Sequence, residues 1–254
     1  FALFALMALK KAFDVFIGAA MEYIEKVNLF GVTMGSVAGE ADAFASRIEN
    51  ALGIDPGAFR ESYSTFYMMA HSLGMTADAA NKVSQNFTQL AYDYASLREM
   101  NFSDVEAKFR SAMAGQTRAV AALGLDVTLA ALAEEALREG ISGNVAEFTK
   151  ANKIILMHNL IMRQSQVVQG DLARTITSPS NMLRVLKDQF AIAARTIGFM
   201  FIPMLQAVLP WLITLTHALT MAAQAFLGLF GISMPSWDAQ VGSAVGGVDD
   251  LFDG

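Results

Sequence analysis

Leu73-Gly74-Met75-Thr76-Ala77-Asp78-Ala79-Ala80 ends one helix and opens the next within eight residues. A glycine just past a helix takes the left-handed conformation that closes the last carbonyls, and the aliphatic residue after it packs back on the final turn. The short polar side chain then caps the free amides of the following helix. Beyond this corner Ala79, Ala80, Val83, Phe87, Leu90, Tyr94 and Leu97 recur at helical spacing and are expected to face inward, with Asp78, Lys82, Gln85, Gln89 and Asp93 in water. The same grammar recurs at Gly31-Val32-Thr33, Gly53-Ile54-Asp55, Gly124-Leu125-Asp126, Gly140-Ile141-Ser142 and Gly231-Ile232-Ser233. Helices joined by such short corners cannot drift apart. No stretch alternates with period two long enough for a sheet, so the reading is all-α, a compact multi-helix module with glycine-capped corners flanked by long apolar helices.

Working outward, residues 1–30 form an amphipathic or apolar helix. Phe13, Phe16, Ile17, Ala20, Met21 and Ile24 are expected on its inner face. Residues 31–143 form the compact module. Within it Phe44, Ile48 and Leu52 make an inner stripe, Pro56 takes a first helical position after Asp55, and Ser103 with Glu106 reads as a capping box. Phe87, Leu90, Tyr94, Phe109 and Leu132 lie on inward stripes of consecutive helices and are expected to be buried together. Arg118 and Asp126 bracket one corner and could lock it as an ion pair.

Residues 144–195 read as long helices with a polar break near 171–181. Asn144 and Glu147 open one of them, running from Val145 to Val168 with Phe148, Ala151, Ile155, His158 and Met162 along an a/d-like seam. Residues 196–237 then carry 42 successive positions without Asp, Glu, Lys or Arg. Pro203 and Pro210 lie early in this segment, and Pro210, followed by Trp211, is placed to open a helix ending at Phe230. Its length, roughly 30 Å, matches the hydrocarbon core of a bilayer. His217, Thr220 and Gln224 fall on one face, a polar stripe that suits self-association or a wet lumen. Residues 238–254 are a polar tail rich in glycine and aspartate. With Phe1 in an apolar run and no initiator Met, the stretch reads as a piece of a longer polypeptide.

Composition removes whole classes of function. The net charge of −6 with 18 Lys+Arg offers no basic surface for phosphates, so sequence-specific nucleic-acid binding is not expected. At 54% hydrophobic and 17% charged the chain is poorer in charge than ordinary soluble domains, which points to partners. No cysteine is present. His71, His158 and His217 sit on different helices without a second ligand at metal spacing, so they read as packed or hydrogen-bonded histidines. Glu134-Glu135 and Asp249-Asp250 are adjacent carboxylates that point about 100° apart on a helix and read as solvated surface. No phosphate loop, nucleophile elbow or dinucleotide fingerprint occurs, and no catalytic, metal or cofactor residue is assigned.

One ordered set of motifs carries a resemblance. Asn28-Leu29-Phe30-Gly31-Val32-Thr33-Met34-Gly35, Leu52-Gly53-Ile54-Asp55-Pro56, and Leu73-Gly74-Met75-Thr76 leading to Asn86-Phe87-Thr88-Gln89-Leu90-Ala91-Tyr92-Asp93 come first. Phe102-Ser103-Asp104-Val105-Glu106, Ala114-Gly115-Gln116-Thr117-Arg118 and Leu123-Gly124-Leu125-Asp126 follow. Gln169-Gly170-Asp171-Leu172-Ala173-Arg174, Asn181-Met182-Leu183-Arg184-Val185-Leu186-Lys187 and the apolar run from Pro203 to Trp211 complete it. Over residues 28–211 the set resembles the tail tape measure proteins of long-tailed bacteriophages and prophages. The resemblance implies a structural virion protein that sets tail length and helps DNA through the host membrane. It also implies a homo-oligomer, a trimer, inside the tail or at its tip. Tail tube and distal tail or baseplate proteins, tail assembly chaperones and, after ejection, the host inner membrane are the implied partners. Members carry long heptad-like stretches that measure the tail, and here that region is expected to lie outside residues 1–254. The alternative is a membrane-inserting, pore-forming or toxin-like protein whose soluble helices shield the 196–237 segment.

Overall fold

The computed structural model of the chain describes residues 2–230, with side chains described at Met7 and from Lys10 onward. It is all-α, with no strand among the described residues. Two compact units divide the chain, Phe1–Phe199 and Met200–Gly254.

The first unit is a stack of helices: α1 (Ala2–Met34), α2 (Ala38–Leu52), α3 (Pro56–Ser72), α4 (Ala77–Leu97), α5 (Phe102–Met113), α6 (Leu129–Arg138), α7 (Lys150–Gln164) and the single turn α8 (Asp171–Arg174). The last helix, α9 (Pro179–Gly228), contributes its stretch up to Phe199 to this unit. α3 packs between α1 and α4, α4 also carries α5 and α8, and α6 pairs with α7.

The corners form largely as the local chemistry dictates. Gly74 sits at φ +96°, the Met75 amide donates to Ala70 O, and Thr76 caps α4 through the Ala79 amide. At the next corner back, Asp55 accepts from the Gly57 amide and Pro56 opens α3. Ile54, Met75 and Leu125, the aliphatic residues after their glycines, are all buried, whereas Ile141 is exposed. Thr128 caps α6 and Asn144 caps a short 3-10 turn.

Several expectations are corrected. α1 runs straight through Gly31, because Phe30 and Met34 on either side are buried in the core and their burial outweighs the roughly 1 kcal/mol that a helical glycine costs. The helix ends instead at Met34, and Gly35, at φ +49°, opens a 3-10 turn. Phe13, Met21 and Ile24 of α1 are exposed, while Ile17 and Ala20 are buried. Asn101 takes the N-cap position of α5, its side-chain amide donating to the Asp104 carboxylate, so Ser103 lies within the helix and makes no capping box. The single helix expected from Val145 breaks at Phe148-Thr149, where Thr149 caps α7, and α7 ends at Gln164. Its seam is rotated: Ile155 is exposed, whereas Ile154, Met157, His158 and Ile161 are buried. Leu97 is exposed. No Arg118–Asp126 pair occurs among the described contacts. Gln164 holds that corner from both sides, donating to Asp126 O at 2.8 Å and accepting from its amide at 2.9 Å. The Gly231 corner and Asp249-Asp250 lie outside the described residues.

Phe87, Leu90, Tyr94, Phe109 and Leu132 are buried in one continuous core. Phe87 is its junction: it meets Phe66 of α3 edge-on at 5.8 Å, stacks on Phe109 of α5 at 5.3 Å and touches His158 of α7 at 5.4 Å. Tyr94 carries its hydroxyl to Ser165 at 3.0 Å, so its one polar atom is satisfied inside the core.

Candidate functional site

In the second unit the described chain is the remainder of α9, from Met200 to Gly228, and the turn at Leu229 and Phe230. Pro203 and Pro210 lie inside this helix, so Pro210 does not open it, contrary to the sequence expectation. Each proline lacks the amide that would bond four residues back. The side chains of Met200, Met204, Trp211, Leu215, Leu219 and Met221 are all exposed, with Trp211 at 78%. Small residues stand between the large ones. Met200, Met204, Ala207, Trp211, Thr214, Ala218, Met221 and Ala225 follow one another at alternating spacings of four and three, the spacing of a seam that packs against another helix.

The polar stripe is weaker than the sequence implies. Thr214, Thr216 and Thr220 turn their hydroxyls onto their own backbone, donating to Pro210 O at 2.8 Å, Leu212 O at 3.0 Å and Thr216 O at 2.8 Å. A hydroxyl satisfied in this way can face an apolar surrounding. His217 and Gln224 are exposed and hold the polar atoms of the stripe. By length and composition α9 is long and apolar enough to cross a membrane, and only 6% of its most apolar window is buried.

The remaining sequence candidates fall elsewhere. His71 is exposed and stacks on Tyr67. His158 is buried between two amides: Asn86 Nδ2 lies 2.9 Å from its Nε2 and Asn159 Oδ1 lies 3.0 Å from its Nδ1. An amide nitrogen only donates and an amide oxygen only accepts, so the pair selects the neutral ring protonated at Nδ1. Burial also holds its pKa below the usual histidine value. Among the described residues no group of three or more His, Asp or Glu stands close enough to hold a metal ion.

Three charged groups read as surface, or not singled out by pattern, are buried. Glu135 of α6 is 2% exposed and is gripped by Arg163 of α7, with Nη2 at 2.7 Å, so it is not the solvated carboxylate that its neighbour suggested. Arg60 of α3 is buried against Asp42 of α2 at 2.7 Å and Phe30 of α1. Asp93, expected in water, accepts the amides of Gly170 at 2.8 Å and Leu172 at 3.1 Å and so caps the start of α8. Burial raises its pKa to about 6 in spite of those two bonds. Beside it Ser96 donates to Asp171 at 2.7 Å, and Asn181 of α9 donates to Ser96 at 2.8 Å and to Thr175. This polar node joins α4, α8 and α9. Only the separation of its partners hid it, because periodicity is blind to a carboxylate that pairs with amides 77 and 79 residues later.

The class defined by fold and surface is an all-α protein that presents an exposed apolar helix. Compared with known protein families, with curated proteins and with solved structures, the chain matches none.

Proposed function

We propose that the chain is a structural, non-catalytic module of a tape-measure-type protein of a long-tailed bacteriophage or prophage, which associates with copies of itself through α9. The observation that carries this reading is the exposed, charge-free apolar seam of α9. Water leaves so much apolar surface uncovered only where a partner or a membrane is to cover it. The ordered motifs from residue 28 to 211 supply the phage context, and the helical fold agrees with it. In this reading copies of α9 pack together within the tail or at its tip, and tail tube, baseplate and chaperone proteins are the partners.

Electron micrographs of mutant particles test it. Deleting helical residues elsewhere in the full-length protein should shorten the tail by about 1.5 Å per residue. Phe87→Ala, which empties the core junction at a cost of about 3–5 kcal/mol, should block assembly instead. Tails of normal length after a large in-frame deletion would remove the ruler.

A second reading, insertion of α9 into the host membrane during DNA delivery or by a pore-forming protein, is favoured by the threonine hydroxyls satisfied on their own helix. Dye release from liposomes by the whole chain separates the two. Release that survives Thr220→Arg would mean a wet pore, whereas no release from the wild-type chain in any lipid composition leaves the dry seam between copies of α9, in which Thr220→Arg would bury like charges and block assembly.

A further inference from the structure

We propose that a cleft in the first unit, walled by α5, α6 and α7, binds a single-chain amphipathic anion, an unbranched aliphatic chain with one charged head group. The site is independent of the reading given to α9.

The cleft has a volume of about 320 Å³, at the lower end of the range of ligand pockets, roughly 300–1,000 Å³. Its floor is Met113 of α5, Leu132 of α6 and Ile154 and Met157 of α7, all buried. No aromatic ring lines it, and two of these four side chains are methionines, whose unbranched chains adapt to a flexible apolar guest. At the mouth Leu129 leaves half of its surface in water although it stands beside an apolar cavity, so a guest there would cover it.

Charge selects the head group. Lys150 and Lys153, one turn apart on α7, line the same cleft, and neither is ion-paired among the described residues of a chain whose net charge is −6. Lys153 donates one proton to Ala146 O at 2.6 Å, which anchors the ammonium beside the cleft and leaves its other protons for a ligand. Lys150 is the first residue of α7, so the positive end of a 15-residue helix adds to the two ammonium groups. An apolar floor with cations on one rim matches a guest with a greasy chain and one anionic end. A neutral chain would leave the two lysines unanswered, and a compact anion would leave the floor empty.

The test is methyl NMR of the whole chain with labelled methionine, titrated with decanoate. Met113 and Met157 report the cleft, and Met204 and Met221 report α9. Saturable shifts of Met113 and Met157, weakened about tenfold in Lys150→Gln/Lys153→Gln and weaker for decanol than for decanoate, are expected. Both lysines are at least partly solvent-exposed, so the double variant should keep the wild-type methyl spectrum in the absence of ligand. Tighter binding of decyl phosphate at the same methyls supports the site and assigns the head group to a lipid phosphate. Shifts confined to Met204 and Met221 would mean adsorption on α9 and overturn the proposal. So would cleft shifts that are indifferent to the lysines or equal for decanol.

Discussion

The guanidinium of Arg195 lies 3.9 Å from the centre of the Tyr23 ring, which fastens α9 onto α1. The same guanidinium donates to Asp55 at 2.7 Å, the carboxylate that caps α3. Asp188 accepts the Asp55 amide at 3.2 Å and Gln189 donates to Gly53 O at 2.9 Å. The first part of α9 therefore clamps the α2–α3 corner.

Because its side chain is almost wholly buried, Arg195 should be expensive to remove. Arg195→Ala is expected to cost about 2–3 kcal/mol, since it strips a charged partner from Asp55 and empties the face of Tyr23. Arg195→Lys keeps the charge but loses the flat contact, at about 1 kcal/mol. Urea denaturation of the three proteins checks the order; a lysine variant as unstable as the alanine one would mean that the ion pair contributes little.

Three residues further on, α9 crosses α1 at Gly198, where a Cβ would run into the Phe16 carbonyl and the Ala20 methyl. Gly198→Ala should force the helices apart and destabilise by about 1–3 kcal/mol. Gly18→Ala on α1, where nothing lies within 4 Å, should instead stabilise by about 0.5–1 kcal/mol. Thermal melts that move both variants in the same direction would contradict this crossing.

Asp93 gives the first unit a dependence on pH. Its folded pKa of about 6 lies above the ordinary aspartate value of 3.8, so between about pH 4 and pH 6 the folded state holds the proton more tightly than the unfolded chain. Stability from this group is full below that window and falls as pH rises through it, by about 3 kcal/mol in all. Asp93→Asn loses one of the two amide bonds, so it should be the weaker protein at pH 4 and gain on wild type up to pH 6.5. Chemical denaturation at half-unit steps measures the difference; a gap between the two proteins that is constant with pH would discount the burial of the ionised form.

The sequence by itself determined the helical class and most corners, because capping is local. Gly74 and Thr76 act on backbone groups within five residues of themselves, and no distant contact is needed to place them. It also determined the core around Phe87, since five of the seven residues expected inward on α4, Ala80, Val83, Phe87, Leu90 and Tyr94, are buried along one face and leave few other ways to pack it. Tertiary structure decided the rest wherever a local rule met a stronger distant contact. Gly31 has the grammar of a stop, yet Phe30 and Met34 carry the helix through it because both are buried against other helices. Asp93 and Glu135 have the spacing of wet positions. They are buried because Gly170, Leu172 and Arg163 arrive from elsewhere in the chain to satisfy them, and a buried charge is tolerated only where such partners are already in place.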